Sequence, residues 1–281
     1  MKKWRGIALL MVLLCVVFVG SALAAQYEVY TIQYSGLVNY PVDAILFSTD
    51  RGKTMDVPFS YTYLKGGGHE YMFDTGYTDV AMGMKWGAPP GAWSSIADNL
   101  RKLGTSADRI EAVIIGHMHW DHGGGLTEFP KATFYVQKKE IEFAAGEITQ
   151  KKHTMAGFDP RDILTIVKLN WEGRVKVING DAADILPGIS VYLTPGHTAG
   201  TESATVPSRR GTVVLCGDSC YTYRNLDEMI PLGFGYDLVQ MLNSYDTLKK
   251  VMGAKGVLVP GHDPAVFTKF PKVADNIVRV D

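Results

Sequence analysis

The decisive stretch of this sequence lies at residues 114–125 and reads IIGHMHWDHGGG. Three imidazoles and one carboxylate follow an apolar run, and such polar groups are costly to bury unless a partner satisfies them. A metal ion is the natural partner for this set of side chains. His117 and His119 face the same side of an extended segment and are expected to bind one cation. Asp121 and His122 project elsewhere, which indicates a second cation beside the first.

The same arrangement of an apolar run and a ligand recurs three times downstream. The segments VYLTPGH, VVLCGD and VLVPGH end at His197, Asp218 and His262. In each segment a glycine before the polar residue allows the backbone to turn sharply. These recurrences argue against a surface cluster of histidines without metal. The remaining two of the seven histidines, His69 and His153, are assigned no role.

Together these motifs resemble the metallo-β-lactamase superfamily, whose HxHxDH motif is followed in order by a lone His, a bridging Asp and a final His. The resemblance covers most of the chain from the DTG turn at residues 74–76 to the GHD segment at residues 261–263. It implies the α/β class and a four-layer αββα sandwich. Carried over by position, the first cation is bound by His117, His119 and His197, the second by Asp121, His122 and His262, and Asp218 bridges them. Asp74 is expected to orient a ligand rather than to act in catalysis.

The implied pair of cations indicates a hydrolase. Two divalent cations about 3.5–4 Å apart lower the pKa of a bridging water toward 7 and make hydroxide available at neutral pH. A redox diiron centre is the competing use of this fold, but its motif resembles one with a Glu where His119 stands. His119 therefore favours two Zn²⁺ ions, with other divalent metals left open.

The residues around Asp218 indicate which branch of hydrolases this chain resembles. β-Lactamase branches lack a bridging Asp after the later strand, whereas lactonase, glyoxalase and phosphodiesterase branches keep it. The segment DSCY at residues 218–221 places Tyr221 three positions beyond the bridge, as in N-acyl homoserine lactonases. This resemblance implies that a metal-bridging hydroxide opens a lactone ring, with Asp121, Asp218 and Tyr221 in catalytic roles. An ordinary packed aromatic is the alternative for Tyr221.

Several other functions stay open on the sequence. Other lactones, simple esters and β-lactams are alternative substrates, and a metal-binding protein without hydrolytic activity is an alternative class. The loops at residues 82–93 and 223–236 are rich in apolar residues and suit either an acyl chain or a packed lid.

The composition narrows the expected partners. The 281 residues are 46% hydrophobic and 20% charged, which excludes a disordered tail protein, a collagen-like repeat and a disulfide-knotted miniprotein. Lys and Arg number 28 against 29 Asp and Glu, and no basic block is present, so nucleic acid is not an expected partner. The expected partner is a small-molecule lactone.

The first 25 residues are typical of a secretory signal peptide. Three positive charges at residues 2–5 precede an apolar run of 13 residues at 7–19, and residues 22–24 form an A-x-A site. The run is shorter than the roughly 18–20 residues that span a bilayer. Cleavage before Gln26 removes three positive charges and no negative ones, so the net charge falls from −1 to −4. The expected location is the periplasm or the extracellular space.

The three cysteines carry no predicted cross-link. Cys15 follows a leucine, whereas a lipid-anchor signal needs a small residue there. Four extended residues span about 13 Å, well beyond the roughly 7 Å limit for a disulfide, so Cys216 and Cys220 could pair only across a tight turn. Two packed, unpaired thiols are expected.

Residues 26–281 are expected to form one domain with two sheets covered by helices. Early antiparallel strands are predicted at residues 27–34, 44–47 and 59–63. Amphipathic helices are predicted at residues 94–103 and 237–252. Further strands are predicted near residues 112–115, 132–136, 175–178, 189–193, 213–216 and 257–259.

Overall fold

The computed structural model of the chain describes residues 26–151 and 157–281. The predicted signal peptide, Cys15 and His153 lie outside the described residues. Within these two ranges, every helix is too short or too polar to cross a bilayer.

The described ranges contain strands and helices that alternate along most of the chain. The strands are β1 Glu28–Pro41, β2 Thr54–Gly66, β3 His69–Phe73, β4 Ala112–Ile114, β5 Thr133–Gln137, β6 Val175–Ile178, β7 Ala182–Leu186, β8 Ile189–Leu193, β9 Glu202–Ser208, β10 Gly211–Gly217, β11 Val257–Pro260, β12 Lys272–Ala274 and β13 Ile277–Arg279. The α-helices are α1 Val42–Ile45, α2 Val80–Lys85, α3 Ile96–Lys102, α4 Trp120–Gly123, α5 Lys138–Ala145, α6 Pro160–Trp171, α7 Tyr223–Asp227, α8 Leu238–Met252 and α9 Val266–Lys269.

The described strands form two sheets. The first has the order β12-β13-β1-β2-β3-β4-β5-β6, and the second has the order β11-β10-β9-β8-β7. In the first sheet β1, β2 and β3 pair antiparallel, whereas β3 to β6 pair parallel. In the second sheet β9 is antiparallel to both β8 and β10, and β10 is parallel to β11. Strands β8, β10 and β11 therefore end at the same edge of their sheet.

Apolar side chains on alternate positions of the strands fill two different layers. On β4, Ile114 belongs to the core between the sheets, while Val113 packs in the core that includes the helices. On β10, Leu215 belongs to the core between the sheets and Val214 to the core that includes the helices. Helices α3 and α8 contribute buried residues such as Leu100 to the helix-facing core. The fold is thus the predicted four-layer αββα sandwich, because each sheet buries one face against the other sheet and one against helices.

Two helix predictions from sequence periodicity are confirmed. Helix α3 begins after Ser95, whose side chain accepts a hydrogen bond from the backbone N–H of Asp98, and Gly104 follows it with φ +72°. Helix α8 begins after Asp237, whose side chain accepts from the N–H groups of Val239 and Gln240. Both caps satisfy N–H groups that a helix start leaves unpaired.

One strand prediction is wrong. Residues 44–47 were expected to be a strand, but α1 covers Val42–Ile45 and a turn follows it. Val42, Ile45 and Leu46 are buried at helical spacing, whereas Phe47 is 49% exposed. The apolar run therefore follows a helical period that starts two residues before the predicted strand.

Both described cysteines are buried and unpaired. The backbone between them makes a tight turn, in which Ser219 N–H donates to Cys216 O and Cys220 N–H donates to Gly217 O. The Cys220 thiol donates to the carbonyl oxygen of Thr222 at 3.0 Å.

Candidate metal centre

Strand ends from both sheets place the polar residues of the site together. In the first sheet, β3 and β4 lead into Asp74 and the 117–122 segment. In the second sheet, β8, β10 and β11 lead into His197, Asp218 and His262. Because these strands end at the same edge of the sandwich, the side chains that follow them converge.

Two glycines make the turns before the ligand-type residues. Gly196 has φ +137° and Gly217 has φ +49°, a region of backbone conformation that other residues rarely adopt. A Cβ atom at Gly196 would lie 2.5 Å from the backbone nitrogen of Met241 in α8. Another residue at Gly196 would therefore displace both the turn and the helix.

The first donor group consists of His117, His119, His197 and Asp218, whose candidate ligand atoms lie within 4.8 Å of one another. Oδ2 of Asp218 lies 3.1 Å from Nε2 of His197 and 3.6 Å from Nε2 of His117. Nδ1 of His119 lies 2.9 Å from Nε2 of His197. The ring atoms therefore face one small volume.

The second donor group consists of Asp121, His122 and His262. Oδ1 of Asp218 lies 3.0 Å from Nε2 of His122 and 2.9 Å from Nε2 of His262. Oδ2 of Asp121 lies 3.5 Å and 3.9 Å from the same two nitrogens. Asp218 therefore lies between the two groups and presents one oxygen to each.

The pKa values of His117 and His119 are shifted in the opposite direction to that of His122. Burial lowers the pKa of His117 well below its usual range, and it lowers that of His119 to about 3, with neighbouring imidazoles adding to both effects. Burial also acts to lower the pKa of His122, but the carboxylates of Asp218 and Asp121 raise it well above the usual value. His117 and His119 are thus neutral imidazoles at physiological pH, the form that binds metal.

The carboxylate of Asp218 stays ionised despite its burial. Burial acts to raise its pKa, but the imidazoles of His122, His262, His117 and His197 lower it well below the usual range. Asp218 therefore offers two anionic oxygens as candidate ligands for a cation.

The donor set fits divalent cations. Buried polar atoms without a hydrogen-bonding partner among the described residues cluster here, namely both ring nitrogens of His117, Nε2 of His122, Nδ1 of His197 and Oδ2 of Asp218. Such atoms are normally paired in folded proteins. Imidazole nitrogen and carboxylate oxygen are ligands that zinc takes, and the two adjacent groups would hold two ions.

Two acceptors behind the second donor group orient its histidines. Oδ2 of Asp74 lies 2.8 Å from Nδ1 of His122, and Oδ1 of Asp74 accepts from the backbone N–H of Gly116 at 2.7 Å. The carbonyl oxygen of Pro58 lies 2.8 Å from Nδ1 of His262. Both contacts hold the proton on Nδ1 and leave Nε2 free to face Asp218. The predicted orienting role of Asp74 agrees with this geometry.

Tyr221 lies beside both donor groups. Its ring centroid is 4.4 Å from that of His262 and 5.6 Å from that of His197. Burial, together with the charges of Asp218 and Asp121, raises the pKa of Tyr221 well above its usual value. The phenol therefore keeps its proton at neutral pH and can act as a hydrogen-bond donor.

A cavity of about 320 Å³ opens onto the site. Aromatic residues form much of its wall: Trp86 stacks on Trp120 with ring centroids 6.0 Å apart, and Phe234 packs against Tyr221 at 5.5 Å. Among the described residues that line it, none is Lys or Arg. The lining comprises Leu37, Tyr40, Ile45, Val57, Phe59, Trp86, His119, Trp120, Asp121, Gly157, His197, Tyr221, Phe234, Gly235 and Tyr236.

The two apolar loops contribute only a few of their residues to this cavity. Trp86 comes from the segment at residues 82–93, and residues 234–236 come from the segment at residues 223–236. Within the second segment, α7 packs into the fold through the buried residues Asn225 and Leu226. The loops therefore serve both packing and lining.

Some supporting residues carried no signal in the sequence. Tyr34 on β1 donates from its hydroxyl to the backbone oxygen of Asp121 at 2.6 Å. Glu140 on α5 is fully buried and contacts two of the ligand-bearing loops. Tyr34 lies within a strand and Glu140 in the first turn of a helix, and both join the site only through the tertiary fold.

The fold and the site define a class, an αββα sandwich with two adjacent His/Asp groups at one edge. The chain belongs to the metallo-beta-lactamase superfamily, whose sequence model matches residues 56–262.

Its relatives include enzymes named for one activity. An N-acyl homoserine lactonase of Bacillus thuringiensis is 30% identical over 170 residues, which cover 60% of this chain and 62% of that protein. The chain thus spans less than two thirds of that relative's length. The N-acyl homoserine lactonase AttM of Rhizobium johnstonii is 26% identical over 271 residues, covering 88% of this chain and 97% of the relative.

Solved structures agree on the fold. The crystal structure of a quorum-quenching N-acyl homoserine lactone lactonase superposes with a TM-score of 0.72 at 23% identity, covering 87% of this chain and 95% of the other. The dizinc quorum-quenching lactonase AidC, in complex with a product, superposes with a TM-score of 0.66 at 17% identity, covering 85% and 88% of the two chains.

The contact between Asp74 and His122 yields a testable prediction. Asp74 has φ +65°, which asparagine tolerates, so Asp74→Asn should keep the backbone. If the asparagine oxygen accepts from Gly116 N–H, its NH₂ faces Nδ1 of His122 and moves the ring proton to Nε2. We expect zinc binding at the second donor group to weaken about 10- to 100-fold.

Equilibrium dialysis against zinc buffers measures the affinity. Asp50→Asn is the matched control, because Asp50 also has a positive φ but lies at the surface, paired with Lys53 and Arg224. Equal affinities for the two variants would contradict the orienting role of Asp74.

Proposed function

We propose that the chain is a dinuclear-zinc hydrolase that opens lactone rings, with N-acyl homoserine lactones as its substrates. The observation that carries this proposal is the position of Tyr221, a protonated phenol beside both donor groups at the wall of an apolar cavity. The relatives named as N-acyl homoserine lactonases support the same substrate.

The metal ligands in this proposal are those of the two donor groups. His117, His119 and His197 would hold the first ion, Asp121, His122 and His262 would hold the second, and Asp218 would bridge them. Zinc suits these nitrogen and oxygen donors, and other divalent metals are alternatives. When bound, two such ions supply polarisation of the substrate carbonyl and a water acidic enough to give hydroxide at neutral pH.

Three side chains of the site have separate roles in the proposed reaction. Tyr221 donates a hydrogen bond to oxygen atoms of the lactone as negative charge develops on them. Asp121 lines the cavity, so its carboxylate can carry a proton from the attacking water to the departing ring oxygen. Asp218 is less than 2% exposed and turns both oxygens toward histidines, which suits a bridging ligand better than a proton carrier.

The charge of the cavity favours a neutral substrate. β-Lactam antibiotics carry a carboxylate in addition to the amide that is hydrolysed, and this carboxylate needs a cationic partner away from the reacting carbonyl. Among the described residues of the cavity wall there is no Lys or Arg, and the one acid is Asp121. A carboxylate that the two proposed ions do not reach is unpaired in this apolar cavity, which is strongly disfavoured. An N-acyl homoserine lactone is uncharged and has an apolar tail, so it matches the wall.

The proposal predicts acid release when zinc-loaded protein starting at Gln26 meets N-decanoyl homoserine lactone, followed with a pH indicator. A chromogenic cephalosporin assayed in parallel should turn over at least about 100-fold more slowly, because its carboxylate finds no cation in the wall. The chelator-treated protein is the control. Faster cephalosporin turnover would overturn the argument from charge, and two bound zinc ions without turnover of either substrate would support the non-catalytic alternative.

A second prediction isolates Tyr221. Tyr221→Phe removes only the hydroxyl and should lower kcat for the lactone on the order of 100-fold, as loss of one hydrogen-bond donor to a developing oxyanion does. Its zinc content should equal that of the unmodified protein. Asp218→Asn, in contrast, should lower zinc content and rate together. Full activity of Tyr221→Phe would contradict the catalytic role of Tyr221 and favour the alternative, an ordinary packed aromatic side chain.

We also propose that residues 1–25 direct export and are then removed. The support is the sequence pattern of positive charges, apolar run and A-x-A site. Mass spectrometry of protein recovered from the periplasm or medium should give a chain that begins at Gln26. Leu13→Arg interrupts the apolar run and should keep the chain at full length inside the cell. Recovery of uncleaved protein outside the cytoplasm would contradict removal.

A further inference from the structure

Glu140 is a buried acid that belongs to neither donor group. It lies in the first turn of α5, its side chain is fully buried, and it does not line the cavity. Its Oε1 accepts a hydrogen bond from the backbone N–H of Met118 at 2.8 Å. Its Oε2 accepts from Oγ1 of Thr198 at 2.6 Å and from the backbone N–H of Gly200 at 3.1 Å.

The three donors flank the histidines of the first donor group. Met118 lies between His117 and His119, on the loop that follows β4 of the first sheet. Thr198 and Gly200 follow His197, on the loop after β8 of the second sheet. One carboxylate therefore joins two ligand-bearing loops that come from different sheets.

The packing around Glu140 leaves little freedom for this connection. A Cβ atom on Gly200 would lie 2.1 Å from the backbone nitrogen of Glu140, so only glycine lets the loop approach closely enough to donate its N–H. Oγ1 of Thr201 accepts from the backbone N–H of Thr198 at 2.9 Å, which closes the turn after His197. The loop thus approaches the carboxylate in one defined conformation.

We propose that Glu140 is a positioning residue that fixes the separation between His197 and the pair His117 and His119, and so sets the affinity of the first donor group for its cation. This inference rests on the proposed metal binding and extends it to a residue outside both groups. Glu140→Gln must turn an NH₂ toward at least one of three donors, which pushes the two loops apart. Residues that hold metal ligands in place typically change metal affinity about 10- to 100-fold when altered.

Glu202 provides a matched control. It is also fully buried, and its Oε2 accepts from Nε2 of Gln137 at 2.7 Å. Its side chain makes no hydrogen bond to either ligand-bearing loop among the described residues. Glu202→Gln therefore makes the same chemical change at the same degree of burial without touching the histidines.

The experiment is equilibrium dialysis against a series of free zinc concentrations, with zinc per chain measured for the unmodified protein and both variants. The unmodified protein and Glu202→Gln should hold two ions over the same range. Glu140→Gln should lose one of them at free zinc about 10- to 100-fold higher than the unmodified protein does. The melting temperature of each metal-free variant reports whether it folds.

A double-mutant cycle identifies the ion that is lost. Combined with His262→Ala, which breaks the second donor group, Glu140→Gln should weaken the remaining ion. Combined with His197→Ala, which already breaks the first donor group, Glu140→Gln should cause no further change in zinc binding.

Thr198 offers a second route if Glu140→Gln does not fold. Thr198→Val removes one of the three donors and should weaken the same ion, while Thr198→Ser keeps the hydroxyl and should restore it. Equal zinc binding by Glu140→Gln and Glu202→Gln, or by Thr198→Val and Thr198→Ser, would overturn the inference. An unmodified protein that binds no zinc would instead overturn the proposed function.

Discussion

The carboxylate of Asp218 is the group on which the rest of the site depends. Each of its oxygens faces two imidazoles, Oδ2 those of His117 and His197 and Oδ1 those of His122 and His262. A buried carboxylate is stable only where positive charge or hydrogen-bond donors surround it. Both sheets must therefore end where their loops can reach one residue, and the parallel strands at the ligand edge meet this requirement.

The ligand-type residues are held in turn by acceptors that lie behind them. Asp74 and the carbonyl oxygen of Pro58 hold Nδ1 of His122 and His262, and Glu140 holds the backbone beside His117, His119 and His197. The first kind of contact sets which nitrogen is free, and the second sets where the ring lies. Tautomer and position are separate requirements of a metal site, and different residues supply them here.

The convergence of the ligand-type residues and the layers of the fold could be predicted from the sequence because both signals are local. The HxHxDH motif and the glycines before His197 and Asp218 lie within a few residues of a strand end, and β4 and β10 contain continuous apolar runs, as strands buried on both faces do. The strand prediction for residues 44–47 is wrong because an apolar run of four residues does not distinguish a strand from a helical turn. The role of Glu140 could not be predicted from the sequence because its hydrogen-bonding partners lie about 20 and 60 positions away along the chain. Only the tertiary fold brings them together.

The substrate is the part of the function that the ligand-type residues define least. The same donors polarise a carbonyl in a lactone or in a β-lactam, so they cannot distinguish these substrates. Discrimination between substrates therefore depends on the wall of the cavity, where Trp86 stacks on Trp120 and Phe234 packs against Tyr221. An aromatic wall without Lys or Arg among its described residues binds apolar tails and offers an anion no basic side chain. For an anionic group that the proposed ions do not reach, the charge is the larger effect, because burying an uncompensated charge outweighs the gain from a few apolar contacts. Charge therefore selects the class of substrate, and the aromatic contacts select among its members.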